Sequence, residues 1–232
     1  MARKSLEKAH GVIFIDEATR KPFADLRLQN WIVLNNPIDM APLQDYPVPD
    51  LAHLGIDVNK HTIFAIIGRF TRQKGVDFVI NQFKRLSSPD VRLLIVGSGG
   101  TSEEYEKMCR NLAMHDSRII FWGEEADILR VYRIADFIIR GEDRACIGRT
   151  IYEGLYAGCD VIIPAETLNQ ADLFEYSTYR HKIHMYSPRN AEQFRNILEN
   201  VSRTKQKQRV FRSNIEEYVD RFHKFTTLVA HR

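Results

Sequence analysis

Beyond residue 61, short apolar runs alternate regularly with amphipathic segments, and this alternation restricts the fold more than any other feature. Most of the runs are almost continuously apolar, which is typical of strands whose two faces are both covered. Strands that alternate with helices form parallel sheets with helices on both faces. The sequence therefore predicts an α/β fold with a Rossmann-like parallel sheet. The predicted strands are residues 62–67, 91–96, 118–122, 136–139, 160–163 and 183–186. The predicted helices are residues 76–86, 103–114, 126–135, 168–174, 191–203 and 210–229, with a further helix beginning near Gly148.

The stretch 140–164 is the most informative part of the chain, because it reads as loop, helix and strand directly after an apolar strand. Such a unit implies parallel strands joined by a right-handed crossover. Its loop lies at the carboxyl end of a strand, where open α/β sheets bind ligands. The helix begins with unpaired backbone N–H groups at Gly148, Arg149 and Thr150, which suit a phosphate group. Glu153 follows one turn later and can accept hydrogen bonds from hydroxyl groups.

A second candidate phosphate site is the loop from Gly68 to Gly75, G-R-F-T-R-Q-K-G, between a predicted strand and a predicted helix. Arg69 can bind phosphate oxygens with two parallel N–H groups, and Lys74 supplies a compact charge. Gly68 and Gly75 allow the backbone to approach a ligand closely. The alternative is that Arg69 and Lys74 are simply two surface cations in a connecting loop.

Two more turns follow predicted strands, at residues 96–100 and 121–125. Backbone around Gly97 and Gly123 could lie against a nucleoside, or both turns could be ordinary tight turns. The first turn does not form the dinucleotide fingerprint G-x-G-x-x-G, because Ser102 occupies the last glycine position. Trp122 is suited to packing in the core or to stacking on a base. No set of His, Cys, Asp and Glu has the spacing of a zinc site, so no metal is predicted.

The composition is that of an ordinary globular protein, with 44% hydrophobic and 27% charged residues and a net charge of +3. This charge is too small to predict a nucleic-acid partner. Three cysteines without metal-like spacing fit a reducing compartment. Because the sequence shows neither a long apolar run nor a signal peptide, we expect a cytoplasmic protein. The basic run 203–209 is either a solvated helix junction or a contact to lipid headgroups, which leaves peripheral association with the inner membrane surface open.

The first part of the chain lacks the regular alternation. Residues 1–45 contain at most two predicted strands, 11–16 and 31–34, and a helix over 17–28, too little for a core of their own. Residues 46–60 contain Pro47, Pro49 and Gly55 and are predicted to be a linker. We therefore divide the chain into residues 1–45, the linker 46–60, a main domain over 61–203 and a terminal helix within 204–232.

Taken together, the loops resemble one family. The sequence contains, in order, G-R-x-x-x-x-K-G, I-V-G-x-G, F-x-G and G-x-x-x-x-E-G-x-x-A-G-x-x-V-I. This series is similar to the carboxyl-terminal half of retaining glycosyltransferases of family 4, which have the glycosyltransferase B fold. The resemblance extends from about Gly11 to Arg203, and Asn35-Asn36-Pro37-Ile38-Asp39 is similar to the family's interdomain turn N-x-x-D.

The resemblance implies a role for each motif. Arg69 and Lys74 match the positions that hold the donor diphosphate, with Gly148–Thr150 as the helix start that adds N–H groups to it. Glu153 matches the glutamate that binds the ribose hydroxyls. The backbone near Gly97 and Gly123 matches the lining of the nucleoside pocket. The implied donor is a nucleotide-diphosphate sugar, without cofactor or metal, and the implied acceptor is a glycan or a lipid-linked molecule.

The sequence departs from the family pattern in two ways. The family has a first glutamate eight residues before the second, and Ala145 stands there. That carboxylate contacts the donor sugar; Glu142 or Asp143 could replace it, or both could be solvated loop residues. The second departure is the acceptor-binding half, of which residues 1–45 resemble only a remnant, while the terminal helix resembles the segment that returns to it.

Three functions stay open at this point. The first is a hexosyltransferase whose isolated chain is inactive unless an amino-terminal half or a partner chain supplies the acceptor site. The second is a non-catalytic subunit that binds a nucleotide sugar or acts as a scaffold. The third is a nucleotide-sugar epimerase, for which the sequence offers no convincing acid/base set.

Overall fold

The computed structural model describes residues 2–99, 103–145, 147–167, 176–203 and 209–230. Its centre is a parallel sheet of six strands in the order β5-β4-β3-β6-β7-β8. A separate pair, β1 and β2, forms a small parallel sheet near the start of the chain. The strands are β1 (Val12–Phe14), β2 (Trp31–Val33), β3 (Thr62–Ile67), β4 (Val91–Val96), β5 (Ile119–Gly123), β6 (Phe137–Ile139), β7 (Asp160–Pro164) and β8 (Ile183–Tyr186).

Helices cover both faces of the large sheet. Neighbouring residues of a strand point to opposite faces, so each strand contributes apolar side chains to the core on either side. On β4, Leu93 packs into one core cluster and Leu94 into the other. The cluster around Leu94 includes residues of the helices Leu129–Ile134 and Arg149–Tyr156. The cluster around Leu93 includes residues of the helices Val76–Phe83, Glu103–Ala113 and Ala191–Val201. The predicted α/β fold with helices on both faces is confirmed. The helices are α1 (Ala2–Glu7), α2 (Glu17–Arg20), α3 (Val76–Phe83), α4 (Glu103–Ala113), α5 (Leu129–Ile134), α6 (Arg149–Tyr156), α7 (Tyr176–Tyr179), α8 (Ala191–Val201) and α9 (Ile215–Ala230).

The strand order reverses between β3 and β6. The chain adds strands outward from β3 on one side as far as β5, then crosses back and adds β6, β7 and β8 on the other side. In open parallel sheets, ligands bind beyond the carboxyl ends of the strands at such a reversal. The loops after β3 and β6 are the two that carry the predicted phosphate-binding residues.

The structure corrects two of the predicted helices, and a third lies outside the residues that it describes. The helix predicted over 17–28 stops at Arg20, and a 3₁₀ turn over Lys21–Phe23 follows with Pro22 at its start. Proline has no backbone N–H group, so it fits the first turn of a helix but cannot continue a helix that is already formed. The α-helix therefore ends before Pro22. The helix predicted over 168–174 lies outside the described residues.

The long terminal helix also begins later than predicted, at Ile215 rather than at residue 210. Residues 210–214 are held instead by backbone pairing with the segment 38–40. Met40 N donates to Arg212 O at 2.9 Å, and Asn214 N donates to Ile38 O at 3.0 Å. The Asn214 side chain accepts a further bond from Ile38 N at 2.7 Å. This long-range pairing outweighs the local helical pattern.

The terminal helix α9 packs against the first part of the chain. Phe225 is buried, and a Cβ added to Gly11 would come within 3.0 Å of its ring. Arg221 Nη2 donates to the carbonyl of Val33 at the end of β2, at 2.7 Å. The start and the end of the described chain are therefore joined by direct contacts.

The predicted linker packs closely on the main sheet. Leu51 is 2% exposed and Ile56 is 4% exposed, and both lie in the core cluster that contains Leu94. Arg133 of α5 donates to the carbonyl of Tyr46 at 2.8 Å. Residues 46–60 thus contribute to the core, and the division of the chain into domains stays a prediction.

One arginine binds the carboxyl ends of two helices. Arg209 Nε and Nη2 donate to the carbonyl of Ala157 after α6 at 3.0 and 2.6 Å, and Nη1 donates to Arg133 O in α5 at 2.8 Å. Nη2 also donates to Tyr132 O at 2.6 Å. The last carbonyls of a helix have no partner within the helix and carry partial negative charge, so a guanidinium is well placed here.

We expect the substitution Arg209→Met to lower the free energy of unfolding by about 2 kcal/mol, because helix carbonyls lose a charged donor. Lys224→Met is the matched control, since the Lys224 side chain is 74% exposed and forms an ion pair with Asp220 on the surface of α9. Lys224→Met should lower the free energy of unfolding by less than about 0.5 kcal/mol. Urea denaturation followed by circular dichroism measures both values. Equal effects of the two substitutions would contradict this role of Arg209.

Candidate functional site

Three glycines form the rim of the sheet where β3, β4 and β5 end. Gly97 N donates to Gly123 O at 2.7 Å, and Gly68 N donates to Val96 O at 3.0 Å. A Cβ on Gly97 would lie 2.2 Å from the carbonyl oxygen of Gly68, and Gly97 has a φ of +124°. A residue with a side chain cannot adopt this arrangement without strain. The structure thus brings Gly68, Gly97 and Gly123 together on one rim, and the nucleoside pocket expected near Gly97 and Gly123 stays a prediction.

A cleft of 450 Å³ opens beside this rim. The side chain of Arg69 is exposed at the cleft, and no described residue accepts a hydrogen bond from its guanidinium. Its charge is therefore available to an anion. The cleft is lined by Ile67, Gly68, Arg69, Val96, Gly97, Ser98, Glu124, Glu125, Ala126 and Ile128.

The loops after β3 and β6 touch through their backbones. A Cβ on Gly75 would lie 1.8 Å from the carbonyl oxygen of Gly141, and Gly75 has a φ of +63°. Glycine is therefore required where the 3₁₀ turn Arg72–Lys74 leads into α3. This contact brings Lys74 next to the residues that follow Gly141.

Lys74 is paired with a buried carboxylate. Its Nζ lies 3.2 Å from Glu142 Oε1, and the side chain of Lys74 is 30% exposed. Arg140 Nε donates to Glu142 Oε2 at 3.0 Å, and Arg140 Nη2 donates to Oε1. Arg140 is 4% exposed and Glu142 is 1% exposed. Glu142 is thus not a solvated loop residue, which corrects that alternative of the sequence analysis, whereas Asp143 is exposed. That Glu142 or Asp143 replaces the missing carboxylate stays a prediction.

The amino terminus of α6 lies beside Arg140. Arg140 Nη1 donates to Thr150 Oγ1 at 3.0 Å, and a Cβ on Gly148 would lie 2.4 Å from the same nitrogen. Gly148 precedes the helix with an extended backbone, and the N–H groups of the first helical turn have no carbonyl partner within α6. Gly148, Arg149 and Thr150 therefore lie on the same rim as Lys74, linked to it through Glu142 and Arg140.

Glu153 lies one turn further along α6 and has two partners in the protein. Its Oε2 accepts from the Tyr132 hydroxyl at 2.7 Å, and its Oε1 accepts from Arg149 Nε at 2.7 Å. Burial, and secondarily the Glu153 charge, raise the pKa of Tyr132 well above its usual value, so Tyr132 stays a donor. Each carboxylate oxygen can accept more than one hydrogen bond, which leaves Glu153 able to accept from a ligand.

A second cleft, of 270 Å³, lies on the other side of the α6 amino terminus. It separates the start of α6 from the loops that follow β1 and β2, so a molecule in it would contact both. Its lining residues are Ile15, Asp16, Asn35, Asn36, Ile38, Ile147, Gly148, Arg149 and Tyr152.

Two residues of this site were missed by the sequence analysis, Arg140 and Tyr132. The signal for Arg140 was a charged residue directly after an entirely apolar strand, a position at the rim of the sheet. Tyr132 gave no distinct signal, because an aromatic residue on a predicted helix is usually core. Among the described residues, no group of three or more His, Cys, Asp and Glu could hold a metal ion. No helix in the same part of the chain is long and apolar enough to cross a membrane.

The reversed strand order and the glycine-lined rim are those of the carboxyl-terminal domain of the glycosyltransferase B fold. The family model for the glycosyl transferases group 1 matches residues 55–218. The chain belongs to this family. It is also 30% identical over 167 residues to the alpha-maltose-1-phosphate synthase of Mycolicibacterium smegmatis, a match that covers 66% of this chain and 41% of that protein.

Solved structures show the same fold. HepE from Anabaena, in complex with UDP and glucose, superposes with a TM-score of 0.75 at 20% identity, over 96% of this chain and 64% of that one. The sucrose-phosphate synthase of Thermosynechococcus elongatus gives a TM-score of 0.72 at 19% identity, over 100% of this chain and 61% of that one. The chain thus spans less than two thirds of the length of each of these proteins.

Proposed function

We propose that this chain is the donor-binding part of a retaining glycosyltransferase of family 4. In this proposal it binds a nucleotide-diphosphate sugar, and the hexosyl group is transferred to a glycan or lipid-linked acceptor. The observation that carries the proposal is the continuous chain of contacts along one rim. It runs from Gly123 through Gly97 and Gly68 to the loop of Lys74, and then through Glu142 and Arg140 to the start of α6.

The diphosphate is assigned to the middle of this rim. Arg69 and Lys74 supply positive charge from one loop, and the amide groups at Gly148–Thr150 supply donors from the facing helix. A helix amino terminus and nearby cations both favour phosphate oxygens. In a transfer reaction, the same groups would stabilise the negative charge that develops as the diphosphate leaves the anomeric carbon. The chemistry of these residues requires no metal for that step.

The nucleoside is assigned to the 450 Å³ cleft beside Gly97 and Gly123. Its volume lies in the range of small-molecule sites, and the glycines of the rim have no side chains that would keep a base away from the backbone. Glu153 would accept hydrogen bonds from the ribose hydroxyls in addition to those from Tyr132 and Arg149. HepE, which has the same fold, binds UDP and glucose, and this supports a nucleotide-sugar ligand here.

The acceptor is assigned to a different part of the complete protein. We propose that residues 1–45 belong to an acceptor domain, 46–60 to the connection, 61–203 to the donor domain and 204–232 to the returning helix. The remaining acceptor domain belongs to the same polypeptide or to a partner chain. The cleft between α6 and the ends of β1 and β2 is where the two domains would meet. A cytoplasmic enzyme of polysaccharide biosynthesis at the inner membrane surface fits this scheme.

A second candidate function is a non-catalytic subunit that binds a nucleotide sugar. It is favoured by Ala145, which has no group to contact the donor sugar, and by Glu142, whose carboxylate is already bound by Arg140 and Lys74. Neither residue weakens the case for binding a nucleoside diphosphate. The two candidates therefore differ in the transfer step only.

We expect Arg69→Ala and Lys74→Ala each to weaken the binding of a nucleoside diphosphate by about 1 kcal/mol or more, as for a lost charge-assisted hydrogen bond. Arg72→Ala is the matched control from the same loop, because its guanidinium lies 5.4 Å from the Tyr105 ring centroid, stacked on the protein. Isothermal titration calorimetry with UDP and with GDP measures the three affinities. Unchanged binding in both Arg69→Ala and Lys74→Ala would remove the diphosphate assignment.

The transfer step is tested by restoring the missing carboxylate. If the chain is the donor part of an enzyme, Ala145→Glu should raise the release of nucleoside diphosphate from UDP-glucose or GDP-mannose by roughly tenfold or more, since one positioned polar group can supply that much. Lys224→Met, on the surface of α9 and outside the rim, is the control and should have no effect. Binding of the donor without any release in Ala145→Glu would favour the non-catalytic subunit.

A further inference from the structure

We propose that Arg140 is a positioning residue that keeps the charge of Lys74 available to an anionic ligand. It does so by binding Glu142, the carboxylate that would otherwise neutralise Lys74. This inference rests on the proposed function, because it concerns how the same site binds a diphosphate. Arg140 itself is buried and is not assigned a direct contact to the ligand.

The geometry shows that Arg140 satisfies the carboxylate of Glu142 almost completely. Its Nε and Nη2 bind the two different oxygens of Glu142, which is the bidentate arrangement that suits a guanidinium. Lys74 makes a single contact of 3.2 Å to one of those oxygens. Glu142 is 1% exposed, so water contributes little to its stabilisation. The main counter-ion of Glu142 is therefore Arg140.

The charges of the three side chains do not cancel. Arg140 and Lys74 are two cations, and Glu142 is one anion, which leaves a net charge of +1. This remaining charge is nearest to solvent at Lys74, whose side chain is 30% exposed, whereas that of Arg140 is 5% exposed. An ammonium group has three N–H donors, and one of them is directed at Glu142. Lys74 can thus present the net charge of the cluster to a ligand.

The position of Arg140 is itself fixed by the fold. Its Nη1 donates to Thr150 Oγ1 at 3.0 Å, and the absence of a side chain at Gly148 leaves the space that the guanidinium occupies. Its carbonyl accepts from the buried Tyr186 hydroxyl at 2.6 Å. These contacts hold the guanidinium in the position from which it binds both oxygens of Glu142.

Removal of Arg140 would change the electrostatics of the site without removing a ligand contact. Glu142 would keep Lys74 as its only described cationic partner, and the two charges would cancel. A buried carboxylate without a strong partner also attracts its remaining cation more firmly, because the surroundings have a low dielectric constant. An anion would then have to compete with Glu142 for Lys74.

A series of four proteins separates this role from a purely structural one. The net charge of the cluster is 0 in Arg140→Met, +1 in the wild type, +1 in the double variant Arg140→Met/Glu142→Gln, and +2 in Glu142→Gln. If charge determines affinity, the double variant should bind as the wild type does, although it lacks Arg140. A purely structural role predicts that the double variant binds as weakly as Arg140→Met.

The experiment is calorimetric titration of each protein with UDP, GDP and ADP at low and at high salt, with urea unfolding to establish that each variant is folded. We expect Arg140→Met to bind roughly tenfold more weakly than the wild type, as for the loss of one charge-assisted contact. The double variant should recover to within about threefold of the wild type, and Glu142→Gln should bind at least as tightly as the wild type. The differences in nucleotide affinity between the four proteins should be smaller at high salt, because salt screens exposed charges. Adding Lys74→Met to Glu142→Gln should abolish any increase in nucleotide affinity that Glu142→Gln alone produces.

The outcomes are distinguishable. Wild-type affinity in folded Arg140→Met, or a double variant as weak as Arg140→Met, would overturn the inference and leave the proposed function in place. If Arg140→Met does not fold, the nucleotide affinity of Glu142→Gln tests the inference instead. Weaker binding by Glu142→Gln than by the wild type would overturn it. A wild-type protein that bound none of the three nucleotides would overturn both the proposed function and this inference.

Discussion

The structure depends on one close approach, the contact between the backbones of Gly75 and Gly141 at the point where the sheet reverses. A Cβ on Gly75 would lie within bonding distance of the Gly141 carbonyl, so no other residue fits there. The contact joins the loop after β3 to the loop after β6. It therefore determines how far Lys74 lies from Glu142 and, through Arg140, from the amino terminus of α6. Two loops that are about seventy residues apart in sequence become one rim.

A buried ion pair beside such a contact has a physical cost. Both Arg140 and Glu142 are removed from water, and desolvation of two charges can outweigh their attraction. The pair is satisfied by two hydrogen bonds between the side chains, a third to Thr150 and a partial contact to Lys74. An arrangement that adds little to stability is better explained by what it does to the charge at the rim. This is consistent with strained and charged features being concentrated where a protein binds its ligand.

The sequence predicted the fold well, because it follows from local patterns, and the location of the site stays a prediction. Apolar runs specify strands, and glycines at their ends mark the turns, so Gly68, Gly97 and Gly123 could be placed on one rim before any coordinates. The partners of Glu142 could not be predicted, since an ion pair between the ends of different elements leaves no periodic signal. The start of α9 was missed for a similar reason, because Asn214 pairs with Ile38, far away in sequence. The roles of the site residues stay predictions until a ligand is observed.

A crystal structure of the protein with UDP or GDP would show whether the rim binds the diphosphate of a nucleotide. We expect phosphate oxygens within hydrogen-bonding distance of Lys74 Nζ and of at least one amide of Gly148–Thr150, with the base in the cleft beside Gly97. A nucleotide bound elsewhere on the protein, with Lys74 and the start of α6 unoccupied, would contradict it.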